Sequence, residues 1–114
     1  MNNEQLNEIY ELIRRTGYIQ SLNLYREMND ESTKEYGLIL VISTCPFYEG
    51  DAKVKFKFKN IQEFKLGDIN NFYKIFFEIQ DVSDRQLEDI KYYVNETEYN
   101  IISFGCSDIE YEIF

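Results

Sequence analysis

The stretch AKVKFKFKN, Ala52 to Asn60, places lysine at 53, 55, 57 and 59 and apolar Val54, Phe56 and Phe58 between them. Successive side chains of a β-strand point to opposite faces, so this period of two specifies a strand with one apolar face and one wet, cationic face. A helix would spread both sets around its circumference. Half of the eight lysines sit on these seven residues although the formal net charge is -9. The negative charge gathers at the other end, where residues 75–114 hold ten carboxylates against Arg85 and Lys91, a net of -8.

Other elements can be read from the same kind of periodicity. From Asn3 to Arg15, Leu6, Ile9, Tyr10 and Ile13 recur at helical spacing, with Glu4 in the first turn and Arg14 and Arg15 in the last. Asn2 or Asn3 is placed to cap the start, and Gly17 to end the helix in a left-handed conformation. After Gly17 the period changes to two. Tyr18 to Met28 reads as a strand ending at the polar break Asn29–Ser32, and Tyr36 to Cys45 as a central strand apolar on both faces, closed by Pro46. Asn60 to Asn71 reads as loop, Phe72 to Gln80 as a strand with Tyr73, Ile75, Phe77 and Ile79 on one face, and Ser83–Gln86 as a capping box. Strands around Ile90–Val94, Tyr99–Cys106 and Ile109–Phe114 follow. The expectation is a single domain, residues 1–114, of the α+β class, with an N-terminal helix packed on a mainly antiparallel sheet of about six or seven strands. Val54, Phe56 and Phe58 should share its core with Ile75, Phe77 and Ile79.

Composition narrows the chemistry. The chain has no histidine, which excludes histidine-dependent triads, Cys-His nucleophile pairs and imidazole metal sites. Its five glycines, at 17, 37, 50, 67 and 105, form neither a dinucleotide fingerprint nor a P-loop. Asp81 with Asp84, and Glu110 with Glu112, are the carboxylate pairs to consider for a hard cation or for acid-base work. Strand alternation spreads Asp108, Glu110 and Glu112 over about 13 Å, however, and a hard cation needs three or more converging acids. The reading is no catalytic residue, no metal and no cofactor. An acidic chain repels nucleic acid, and nothing reads as a signal peptide or membrane span, so a cytoplasmic protein is expected. Cys45 and Cys106 each end an apolar segment and are expected reduced and inaccessible.

The lysine stripe has two structural uses. It can protect a sheet edge from other chains, or it can pair with a neighbouring strand that turns Glu110 and Glu112 outward. Ligand binding is the lesser alternative.

The segment FFEIQDVSDRQLEDIKYYVNETEYNIISFGCSDIEYEI, Phe76 to Ile113, resembles the C-terminal half of small bacterial immunity proteins found beside secreted polymorphic toxins. The features that match are the order Ile79, Asp81, Ser83, Arg85, Gln86, Glu88, then the aromatic strand Tyr92–Val94, then Ile102–Cys106, then the alternating acidic strand. The resemblance implies a non-enzymatic, cytoplasmic antitoxin that binds one cognate basic toxin domain, with a nuclease among the candidates. Asp108, Glu110 and Glu112 would form the outward acidic row, with Tyr93 and Tyr99 as aromatic anchors. Reversing Glu110 and Glu112 to lysine is then expected to slow association. An accessory domain of an assembly and a carboxylate-based enzyme are the competing readings, and a homodimer is left open.

Overall fold

Helix α1 (Asn3–Thr16) starts on Asn2, whose side-chain oxygen accepts the Gln5 N–H at 2.8 Å while the Gln5 side chain accepts the Asn2 N–H at 3.0 Å. This reciprocal cap satisfies two of the donors that a helix start leaves without partners. The helix ends at Gly17, at φ 42°, where the Gly17 N–H reaches the Ile13 carbonyl at 2.8 Å. A Cβ on Gly17 would stand 2.9 Å from the Lys74 side chain, so both conformation and space require glycine there. One face buries Ile9, Leu12 and Ile13, with Leu6 and Tyr10 partly buried beside them. The computed structural model describes residues 1–26, 28, 35–68, 70, 74–87 and 89–114.

Eight strands follow among those residues, in two four-stranded antiparallel sheets. The first has the order β1 (Tyr18–Arg26), β2 (Tyr36–Ser43), β3 (Lys53–Lys59), β8 (Asp108–Ile113). The second has the order β4 (Gln62–Leu66), β7 (Ile102–Cys106), β6 (Tyr92–Glu96), β5 (Phe77–Asp81). Only Asn60 and Ile61 separate β3 from β4, and only Ser107 separates β7 from β8. Because β3 pairs with β8 and β4 with β7, the two chain segments cross from one sheet to the other side by side as one bent ribbon. Asn60 and Glu63 take left-handed φ values of 55° and 53° at the bend. The Ser107 N–H and hydroxyl both donate to the Lys59 carbonyl, at 2.9 and 3.3 Å. Beyond α1, the sheets meet again where Tyr18 bridges to Lys74 and the Ile75 N–H donates to the Gly17 carbonyl at 2.8 Å.

The core lies between the two sheets and under α1. Val54, Phe56 and Phe58 share it with Ile75, Phe77 and Ile79, as the matched periods predict. Phe58 of the first sheet meets Phe104 of the second edge-on, centroids 4.9 Å apart. Each such ring removed from water contributes about 2–3 kcal/mol. Tyr10 adds a polar tie: its hydroxyl donates to the Ile79 carbonyl and accepts the Ile79 N–H, both at 3.1 Å, sealing the outer edge of β5. No helix among the described residues is long and apolar enough to cross a membrane.

Several boundaries differ from the sequence reading. Gln62–Leu66, read as loop, is β4; its bulge at Glu63 breaks the alternation that marks a strand. Strand β5 starts at Phe77, and Phe72, Tyr73 and the break at 29–32 lie outside the described residues. Ile90 is buried ahead of β6 and is not part of it. The Ser83–Gln86 capping box does not form. Ser83 instead turns back, its hydroxyl and N–H reaching Asp81 Oδ1 at 2.6 and 2.9 Å. Strand β2 is covered on one face only, since Ile39 and Val41 on the other are half-buried. Cys45 is a further correction. β2 ends at Ser43, so Cys45 falls in the following bend and is exposed, while Cys106 is buried in β7.

Burial pushes the Cys106 thiol up to about 12, far from its reactive thiolate. A disulfide-exchange reagent at neutral pH should therefore titrate one thiol rapidly in the native protein and two in urea. Loss of the rapid thiol in Cys45→Ser would assign it.

Candidate functional site

The pairing of β3 with β8 sets Lys55 opposite Glu112, Lys57 opposite Glu110 and Lys59 opposite Asp108. Both sets of side chains point to the outer face, because Val54, Phe56, Phe58 and Ile109 occupy the inner one. Lys59 Nζ lies 2.7 Å from Glu110 Oε1 and 3.9 Å from Asp108 Oδ2, and Lys55 Nζ lies 3.3 Å from Glu112 Oε1. The lysine stripe therefore has the cross-strand partners that the sequence offered it. A hydrogen bond from Lys59, then its charge, holds the Glu110 carboxyl below its ordinary range, and the same contacts raise Lys59. Four lysines against three carboxylates leave this strip close to neutral. Its field on an approaching partner is correspondingly weak.

The two tyrosines lie elsewhere. Tyr93, on β6, faces out from the second sheet opposite Gly105 and Gln80. A Cβ on Gly105 would come within 3.3 Å of the Tyr93 ring, which identifies glycine as the seat on which the ring lies. Tyr93 lines a cleft of about 520 Å³ with Glu63, Phe64, Lys65, Asn95, Ser103 and Phe104. Burial, then the Glu63 carboxylate, raises its hydroxyl above the usual range. Tyr99 stands in the turn between β6 and β7, 43% exposed. With Glu98, Arg14, Lys74, Ile75 and Phe76 it borders a second cleft of about 510 Å³. The Arg14 guanidinium sits 5.5 Å over the Phe76 ring there. The acidic row is thus brought together with lysines, and Tyr93 and Tyr99 each line a cleft of their own.

Sequence reasoning missed Glu96. Its side chain is fully buried, and its carboxylate accepts the N–H groups of Glu98 at 2.6 Å, Tyr99 at 3.0 Å and Ile101 at 3.3 Å. These bonds wrap the turn around the carboxylate and fix where Tyr99 and Glu98 project. The signal was present: alternation through Tyr92, Val94 and Glu96 puts all three on one face, and Val94 is plainly apolar. The carboxylate pairs considered for a cation are otherwise engaged, Asp81 by Ser83 and Glu110 and Glu112 by lysines. Among the described residues no cluster of three or more acids, cysteines or histidines is placed to hold a metal ion.

A helix-braced pair of antiparallel sheets that presents a charged strip and two tyrosine-edged clefts defines a small protein of the α+β class. The family model Immunity protein PIM8 matches residues 1–112, and the chain belongs to that family. The match takes in nearly the whole chain, including the helix and the lysine stripe, where the sequence resemblance lay in the C-terminal half. No curated protein matches the chain, and neither does any solved structure.

Removing the Glu96 carboxylate leaves three part-buried N–H groups, of Glu98, Tyr99 and Ile101, without their acceptor. Glu96→Ala should therefore cost about 3 kcal/mol and Glu96→Gln roughly half of that, read from urea unfolding midpoints. The Lys59–Glu110 contact sets a pH window. Glu110 is depressed, so its contribution is present above its ordinary value of 4.5 and fades as pH falls through the lower folded value; Lys59 is raised, so its contribution is present below 10.5 and fades as pH rises through the higher folded value. The melting-temperature gap between wild type and Glu110→Gln should be widest between these limits and close at either end.

Proposed function

We propose that this chain is a cytoplasmic antitoxin that neutralises one cognate toxin domain by binding it, with no catalytic step of its own. The family match over residues 1–112 carries this reading. The charge distribution supports a basic partner. Of the ten carboxylates in residues 75–114, Asp108, Glu110 and Glu112 lie against lysines and Glu96 is buried, whereas Glu78, Asp81, Asp84, Asp89 and Glu98 are exposed. A nuclease, whose cleft gathers cations to hold phosphates, is the toxin class that such a surface suits.

The unpaired carboxylates and the lysine-bound row have different parts in this proposal. Long-range attraction depends on summed charge, so steering falls to Glu78, Asp81, Asp84, Asp89 and Glu98. The row Asp108, Glu110, Glu112 acts once the partner is in contact, through the carboxylate oxygens that the β3 lysines leave free. Tyr93 and Tyr99 supply aromatic area beside these charges.

Co-expression with the toxin domain encoded beside this gene should restore growth, and purified wild type should form a one-to-one complex with that domain. Failure of both would sink the reading. In stopped-flow mixing at two ionic strengths, the double variant Glu78→Lys/Glu98→Lys should slow association about tenfold and weaken its salt dependence. The variant Glu110→Lys/Glu112→Lys should mainly raise dissociation. An equal effect of both on association would remove this division of labour.

A further inference from the structure

Strand β8 ends its sheet, and among the described residues no strand pairs with its free side. The Phe114 N–H donates to the Lys53 carbonyl and the Lys53 N–H to the Phe114 carbonyl, both at 2.9 Å, which makes 53 and 114 an exchanging pair. In an antiparallel ladder such pairs alternate with pairs that exchange no bonds. Along the observed register, Glu112 and Glu110 therefore bond β3, while Ile113, Tyr111 and Ile109 turn their N–H and C=O groups to the side where no strand lies among the described residues. The Ile109 N–H is taken by Asp108 Oδ1 at 3.0 Å. Those of Tyr111 and Ile113 have no backbone partner among the described residues.

The carboxylates are half-used in the same sense. Glu110 and Glu112 each offer Oε1 to a lysine of β3, and their Oε2 atoms have no partner among the described residues. The other edges differ. β5 is sealed by the Tyr10 hydroxyl, β4 is interrupted by its bulge, and β1 turns Ser21, Asn23 and Tyr25 to the face that bears the charged strip.

Resting on the antitoxin reading above, the geometry points to the free edge of β8 as the docking strand for an extended segment of the toxin domain that carries lysine or arginine at alternate positions. The fold already contains the pattern that fits. β3, KVKFKFK, satisfies the opposite side of β8 by backbone bonds and alternate cations, and an incoming basic strand would do the same on the open side. Its intervening apolar residues would fall on the inner face with Ile109, Tyr111 and Ile113. A second copy of this chain does not fit through the same edge. Antiparallel pairing of two β8 edges through their odd-numbered residues sets even opposite even, so every register that overlaps most of the strand puts carboxylate against carboxylate, and like charges directly opposite repel.

The test uses a synthetic peptide of the β3 sequence, KVKFKFK, and a control, EVEFEFE, against the full chain. Amide exchange followed by NMR should show Tyr111 and Ile113 slowing at least tenfold with the lysine peptide and not with the control. Ile113→Pro removes an N–H that β3 does not use, and the side chain is half exposed, so circular dichroism and melting temperature should stay as in wild type. Its affinity for the peptide and for the toxin domain should both fall at least tenfold. No peptide binding, or protection confined to strands other than β8, would overturn the inference. So would a toxin domain held at full affinity by Ile113→Pro, and in that case the antitoxin reading would stand without the edge.

Discussion

The bent ribbon made by β3–β4 and β7–β8 is the constraint on which the rest of the structure depends. It is the hydrogen-bonded connection that carries two neighbouring strands from one sheet into the other, turned at Asn60 and Glu63 and held at the corner by Ser107 on the Lys59 carbonyl. Its register decides which side chains reach the core. A slip of one residue would send Val54, Phe56 and Phe58 to solvent and bring lysines inward, a change that no surface contact could offset. The same register aligns the lysines with the acids. Core and surface strip are therefore fixed by one set of backbone bonds.

That coupling redistributes the charge. In the sequence, the acidic C-terminal third looks like one uniformly negative surface. In the fold, three of its carboxylates meet the lysine stripe of β3, and a fourth goes inside to bind the backbone of its own turn. Those left exposed and without an ion pair among the described residues sit on β5, on the loop after it and on the β6–β7 turn. The acidic field thus belongs to the second sheet and its connections, and the first sheet presents alternating signs at short range.

The chain belongs to an immunity-protein family. Under the proposed function, the groups offered to the toxin are held by rigid elements. Gly105 seats the Tyr93 ring, Glu96 shapes the turn bearing Tyr99, and β3 aligns the carboxylates of β8. Each of these supports is a backbone or core interaction, so the placement of Tyr93, Tyr99 and the β8 carboxylates is as stable as the fold beneath them.

Helix α1 with both its caps, the lysine strand and the shared core of Val54, Phe56, Phe58, Ile75, Phe77 and Ile79 were all legible in the sequence, because periodicity and capping are local properties of neighbouring residues. The resemblance of residues 76–113 to immunity proteins rested on the order of residue types in that segment. The division into two sheets, the strand β4, the exposure of Cys45 and the burial of Glu96 were not legible. A bulge at a left-handed glutamate erases the alternation that announces a strand, and a buried carboxylate looks like any surface acid until the N–H groups it binds are known. By itself the sequence determined the inward residues of α1 and of the lysine strand, and it left the lysines two uses, edge protection or pairing with opposite charges. Only the tertiary structure decided that β8 supplies them, since strand partnership rests on contacts between residues some fifty positions apart, which no local pattern encodes.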